Sequence, residues 1–347
     1  MNNKQLKLNP DKTCFMFFGK KKEAEKARKE IVMSPIMCGN FVTKENAFDK
    51  WLGDVFHQEG LAASVKATIE DRKARVKGAC YEAVAIIEDW AQVVGGFQGA
   101  LDLFEMAILP SLLYNAETWI GIRKETENEL EDLQLFFLRL ALRVPSGTPK
   151  VALRSETGML SMKLRIWKKK LMFLHHISGL KEDVLAKKVW EQQKTRNWPG
   201  LVAEGQAIFK ELGLDEEVMQ ECSKSEWRMK VGEACAAKDE KFMLEEIRSK
   251  SKLEEIKNEG VGIKPYMGLK PLNQVRDLFR IRTCMVTGFK ANFGQKEAEC
   301  EECGGKTDTQ SHAMECPGYE DLREGLDLNQ DIDLVLYFRN VLKRRGL

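Results

Sequence analysis

Between residues 61 and 90 the apolar residues Leu61, Val65, Ile69, Val76, Cys80, Ala83, Ile87 and Trp90 recur at spacings of three, four or seven. A strand would need a period of two, so this stretch can bury a continuous face only as one long helix. A helix of that length needs other helices to cover its stripe. The sequence predicts a second over 99–121, kinked at Pro110, where the ring removes an intrahelical bond and clashes with the preceding turn. A third is expected over 125–143, stopping before Pro145-Ser-Gly-Thr-Pro149, and further helix over 150–177 with a break at Gly158. The fold class read from this pattern is mainly α, built on a helical bundle.

The flanks differ from this bundle. Within residues 1–60, short apolar runs near 13–18, 37–42 and 50–56 are bounded by Gly, Pro or Asn, with a charged helical stretch over 20–31. They predict a small N-terminal α+β element of three strands at most. After Trp198-Pro199-Gly200, residues 204–259 carry 15 acidic against 10 basic side chains and read as the solvated surface of a helical connector. The last part holds a basic helix, a cysteine/histidine cluster and a terminal helix expected to bury Ile332, Val335, Leu336, Phe338 and Leu342. Four units follow: 1–60, 61–180, 181–262 and 263–347.

Composition narrows the class further. Hydrophobic residues at 43% and charged residues at 31% exclude disorder as the main state. No uncharged apolar run approaches the ~20 residues of a bilayer span, so no membrane partner is expected. Nine cysteines without an export signal point to reduced thiols in a cytoplasmic or nuclear protein.

The most specific local pattern is Cys300-x2-Cys303-x8-His312-x3-Cys316. Two thiolates with two residues between them reach one zinc ion at about 2.3 Å, and a nearby His and third Cys complete a tetrahedral set. Gly304-Gly305 lets the chain turn there. With four protein ligands no position remains for a catalytic water, so Zn2+ is expected to be structural, stabilising a small C-terminal domain. The surrounding segment is acidic: between Glu297 and Asp333 twelve carboxylates face Lys306 and Arg323 alone, the wrong sign for gripping phosphate.

Basic charge collects elsewhere. Residues 66–77 hold five cations, among them Lys66, Arg72 and Lys73. Residues 150–178 hold seven, with Lys168, Lys169 and Lys170 directly after Trp167, and residues 264–290 hold six, with Arg276, Arg280 and Arg282 at helical spacing. Such clusters fit a phosphate backbone, with an indole as stacking partner, or equally a solvated helix face. His175 and His176 are expected to be packed or capping residues. Phosphate loops of Walker or Rossmann spacing, Gly-x-Ser-x-Gly, His-Glu-x-x-His and Asp-Asp are all missing from the sequence, so no self-contained active site is visible.

Several segments together resemble the C-terminal part of a non-LTR (LINE-type) retrotransposon reverse transcriptase. Leu6-Lys-Leu-Asn9-Pro-Asp-Lys12-Thr13 is similar to the LN..KT segment that follows the catalytic strand in that family, and Trp51-Leu52-Gly53 to its YLG primer-grip turn, with Trp for Tyr. Pro110-Ser-Leu-Leu-Tyr114-Asn-Ala-Glu117-Thr-Trp119 resembles the P..lYg.E.W signature of the thumb, and the stretch from Cys300 through Arg323 the terminal C..C....DT..H....CP cluster. The resemblance implies a palm remnant, a thumb-like bundle and a zinc-binding tail. It would place Lys12 near the phosphates of an incoming nucleotide. The metal-binding aspartates of the family match nothing in this sequence, and two-metal nucleotidyl transfer requires them.

The expectation is therefore a truncated reverse-transcriptase-like chain without polymerase activity of its own. It retains zinc-stabilised binding of RNA or an RNA/DNA hybrid through Lys12, Lys66, Arg72, Lys73, Lys168, Lys169, Lys170, Arg276, Arg280 and Arg282. Two alternatives stand beside it. One is a helical protein–protein interaction module whose exposed palm remnant, with Phe15, Phe17, Phe18 and Phe56 unpartnered, docks on another protein. The other is a fragment of a longer, active RNA-directed DNA polymerase.

Overall fold

The computed structural model describes residues 9, 13–17, 21–38, 41–90, 96–196, 198–250, 253, 256–257, 259–268, 271–289, 298–305 and 307–347. Lys12, Phe18 and Lys306 lie outside them. The chain is mainly helical, with a small strand-containing N-terminal segment.

The described residues of that segment form helix α1 (Lys21–Met33) and three two-stranded ladders. β1 (Cys14–Phe15) runs parallel to β4 (Lys44–Glu45), while β2 (Met37–Cys38) with β3 (Phe41–Val42) and β5 (Phe48–Trp51) with β6 (Asp54–His57) are antiparallel. The strands outnumber the three expected because the 37–42 and 50–56 runs each divide into two short strands, and Lys44–Glu45 adds a further one that pairs with the first run. The turn of the last hairpin, Leu52-Gly53, has positive φ at both positions (49° and 89°), the twist that a two-residue hairpin loop requires. Phe15 packs edge-on against Phe17 and Phe56 against Trp51, so these rings have partners after all.

α2 (Leu61–Trp90) is the long helix read from the sequence. Val65, Ile69, Val76, Cys80, Ala83 and Ile87 are buried along it, while Leu61 at its start is exposed. The next element departs from expectation. α3 (Phe97–Leu103) passes into one π-helical turn (Phe104–Ile108) and then α4 (Leu109–Leu112), and the helix stops well short of residue 121. A widened turn ahead of Pro110 accommodates the ring without a bond from its missing N–H. Asn115 in the left-handed region then leads into a short 3-10 turn (Ala116–Thr118). α5 (Lys124–Leu142), α6 (Lys150–Thr157) and α7 (Met162–Ser178) follow the expected pattern, with Gly158 at φ 66° closing α6.

α7 is the seam between two apolar clusters. Its Met162 and Ile166 join α2, α3 and α5; its Leu164, Leu171, Leu174 and Ile177 join α8 (Leu185–Arg196), α9 (Leu201–Leu212), α10 (Glu216–Glu221) and α11 (Lys224–Arg248). The segment expected to be a solvated connector is thus packed. On α11, Trp227, Val231, Cys235, Asp239, Met243 and Ile247 are buried at strict four-residue spacing, a stripe that the segment's overall charge conceals. Asp239, the polar member of that stripe, is compensated by Arg154 and by the Ser161 amide at 2.9 Å.

The C-terminal elements continue the first cluster: Val275 and Phe279 of α12 (Leu272–Arg282), Ala313 of α13 (Gln310–Glu315), Tyr319, and Val335, Phe338 and Val341 of α15 (Asp331–Arg344) all belong to it. α14 (Glu320–Arg323) bridges the last two. The buried face of α15 is rotated from the expected one, since Ile332 and Leu336 are exposed and Tyr337 and Val341 are buried.

Candidate metal centre and candidate nucleic-acid interface

Cys300, Cys303, His312 and Cys316 converge at one point, with one ligand atom from each within 4.8 Å of all the others. The local chain explains the convergence. Gly304 at φ 65° returns its amide to the Cys300 carbonyl at 2.8 Å, closing the turn that carries the first pair. Thr309 caps α13 by accepting the His312 amide at 2.9 Å, which places His312 one turn into the helix and Cys316 at its end. Cys300 Sγ and Cys316 Sγ stand 3.8 Å apart, and Cys303 Sγ is 3.2 Å from His312 Nε2. A tetrahedron with ligands about 2.3 Å from its centre has edges of about 3.8 Å, so the set has the dimensions of a metal cage. Burial pushes the Cys316 thiol up to about 11, so a thiolate at that position calls for a cation beside it.

Two arginines fasten this knuckle to its surroundings. Arg323 donates to the carbonyls of Cys316 (2.9 Å) and Ala313 (3.3 Å). Arg345 pairs with Asp308 at 2.6 Å, donates to the Tyr319 hydroxyl at 2.7 Å and lies over the Phe289 ring. In the sequence Arg345 reads only as part of a basic terminus.

The expected basic residues divide sharply. Arg72 is buried and donates to the carbonyls of Gly53, Leu112 and Tyr114 and to Asp54, tying the β5–β6 hairpin to the end of α4. Arg276 is buried between the Ala141 carbonyl and Glu88, and Lys170 is buried against Glu204. Arg282 binds Glu156 and Glu259, and Arg280 binds Asp277 and the Arg143 carbonyl. These five side chains hold the fold together and leave the phosphate-binding set: Arg72, Lys170, Arg276 and Arg282 are neutralised by carboxylates distant in the chain, which helical spacing alone cannot reveal, and Arg280 by Asp277 three residues back on its own helix. Lys73 sits 3.3 Å from Glu70 and Lys169 3.2 Å from Glu117, while Lys66 is exposed. Trp167 lies under Lys163 and faces α9.

One basic surface does form. A groove of about 720 Å3 runs between α7 and the segment from Leu109 to Glu117, with the start of α11 at its end. Among the described residues, five cations line it, Arg165, Lys168, Lys169, Lys224 and Arg228, against one carboxylate, Glu117. Arg165 is held by Glu105 and Lys169 by Glu117. Among the described residues, Lys168, Lys224 and Arg228 have no carboxylate partner. Lys224 and Arg228 sit in the acidic stretch, which hides them from a count of charge; their i, i+4 spacing on either side of Trp227 is the signal that could have found them. His176 also faces the groove, whereas His175 is packed as expected, stacked on Trp227 and bonded to the Cys222 carbonyl at 2.9 Å.

No family model, curated protein or solved structure matches the chain. Among the described residues, no helix is long and apolar enough to cross a membrane.

Proposed function

We propose that this chain is a zinc-stabilised protein that binds RNA or an RNA/DNA hybrid, in the manner of the thumb and tail of the non-LTR reverse transcriptases it resembles, without nucleotidyl-transfer chemistry of its own. The observation that carries the reading is the convergence of Lys168, Lys224 and Arg228, without carboxylate partners among the described residues, on a groove whose facing wall is the 110–117 segment. Uncompensated cations around one concave surface attract polyanions by releasing their counterions. The Cys3His cage supports zinc as the ion, since thiolate and imidazole in a closed four-ligand set suit it.

The test is a salt titration of wild type and the Lys168→Gln/Lys224→Gln/Arg228→Gln variant against one labelled RNA. Each lost contact lowers the slope of log K against log salt by about 0.7 for a single strand or 0.9 for a B-form duplex. Equal slopes for the two proteins would refute the reading. They would favour instead docking on another protein through the N-terminal hairpins, where Met37, Phe48, Trp51 and Leu52 are exposed.

A further inference from the structure

We infer that the groove between α7 and the 109–117 segment accepts a single strand, with a base against Tyr114 and the phosphates along the Lys168, Lys224 and Arg228 rim, and not a duplex. The inference rests on the nucleic-acid reading above and adds which form of nucleic acid the site takes.

Three features point the same way. The first is size: about 720 Å3 matches a pocket for a small ligand, with room for a nucleotide or two. The second is the character of the walls. Leu113, Met172 and Phe173 line the interior, whereas the cations without carboxylate partners belong to α7 and α11. A duplex stacks its base faces inside itself and offers a protein phosphates, sugars and groove edges, so an apolar interior gives it nothing to bind. A single strand presents free base faces on one side and phosphates on the other, matching an apolar wall beside a cationic rim.

The third is the setting of Tyr114, which is 51% exposed. Its backbone carbonyl and that of Leu112 both accept from the buried Arg72, at 2.9 and 3.1 Å, and the Arg72 guanidinium lies 5.8 Å from the Tyr114 ring centroid. Asn115, in the left-handed region, donates to Asp54 at 3.0 Å. An aromatic ring held this way is a prepared stacking platform, and little ordering cost remains for binding. Arg72 thus acts as a positioning residue for Tyr114, a role separate from the phosphate contact read from the sequence.

The experiment uses the full chain with zinc present at low salt and measures anisotropy of three labelled probes: a short single-stranded RNA, the same RNA annealed to complementary DNA, and a poly-glutamate peptide. The single strand is expected to bind most tightly. Tyr114→Ala should weaken it by roughly 5- to 150-fold, the equivalent of about 1–3 kcal/mol for one stacked base. Circular dichroism of Tyr114→Ala checks that it is folded, and Tyr114→Phe, which keeps the ring, should bind like wild type. Tighter binding of the hybrid, or a folded Tyr114→Ala with unchanged affinity, overturns this inference and leaves the nucleic-acid reading standing. Failure of both nucleic acids to bind overturns both, and preference for the peptide replaces the occupant with an acidic protein segment.

Discussion

Replacing Arg345 by Ala should destabilise the C-terminal knuckle more than any surface change. The side chain is 4% exposed and that of Asp308, its partner at 2.6 Å, is 1% exposed. Removing the guanidinium takes two hydrogen bonds and a close positive charge from the buried Asp308 carboxylate, and one donor each from the Tyr319 hydroxyl and the Gly288 carbonyl. Breaking one side of a buried pair costs about 3–5 kcal/mol. With an unfolding entropy of about 2.1 cal/mol/K per residue, a chain of this length melting as one unit should lose about 4–7 °C in Tm. The assay is a melt of four proteins: wild type, Arg345→Ala, Asp308→Asn and the double variant. Because Asp308→Asn and Arg345→Ala remove the two sides of one contact, the double variant should be more stable than the sum of the single losses predicts, by about 0.5–3 kcal/mol. Strict additivity, or a single-variant shift below about 1 °C, would refute the argument that the terminal arginine is a buried structural cation.

Four further outcomes are expected. Purified under reducing conditions, the chain should carry one zinc, and Cys303→Ser should lose it and lose hydrogen-exchange protection from Cys300 to Cys316; metal analysis showing no stoichiometric zinc in the wild type would count against the cage. Gly158→Ala should lower the denaturant midpoint by about 2 kcal/mol or more of stability, because φ is 66° and an added Cβ would lie 2.9 Å from the Ile263 amide nitrogen. Stability should fall in acid: burial alone would raise the Glu88 carboxyl, but its bonds to Arg276 and Arg143 outweigh that and hold it below its ordinary value of 4.5, so its contribution is full above that pH and is lost as pH falls through the lowered value. Glu88→Gln should therefore be less stable than wild type at neutral pH and show a shallower acid limb, while burial of Glu131, whose carboxyl is raised, works in the opposite direction. Primer extension with Mg2+ or Mn2+ is expected to be absent, and template-dependent incorporation that survives exhaustive purification would show that a catalytic site had been overlooked.

Legibility in the sequence followed the range of the interaction. Periodicity specified α2, and the loop signals at Pro145 and Gly158 marked the ends of α5 and α6, because these depend on neighbours within two turns. The Cys3His cage was legible for the same reason: its four ligands lie within seventeen consecutive residues, and spacing alone brings them to one ion's reach. The packed face of α11 was not, since a count of charges over fifty-odd residues averages away one buried position in four.

The division is clearest among the basic residues. The sequence by itself determined how many cations there are, which stretches hold them, and that some share a helix face. Only the tertiary structure decided which remain available to a ligand. Arg72, Lys170, Arg276, Arg282 and Arg345 are neutralised or hydrogen-bonded by groups eighteen or more residues away. Lys168 and Arg228, from helices far apart in the chain, face the same groove without such partners. A charge is cancelled by what stands within a few ångströms of it, and for a buried arginine that distance is set by how the helices pack, which no local pattern encodes.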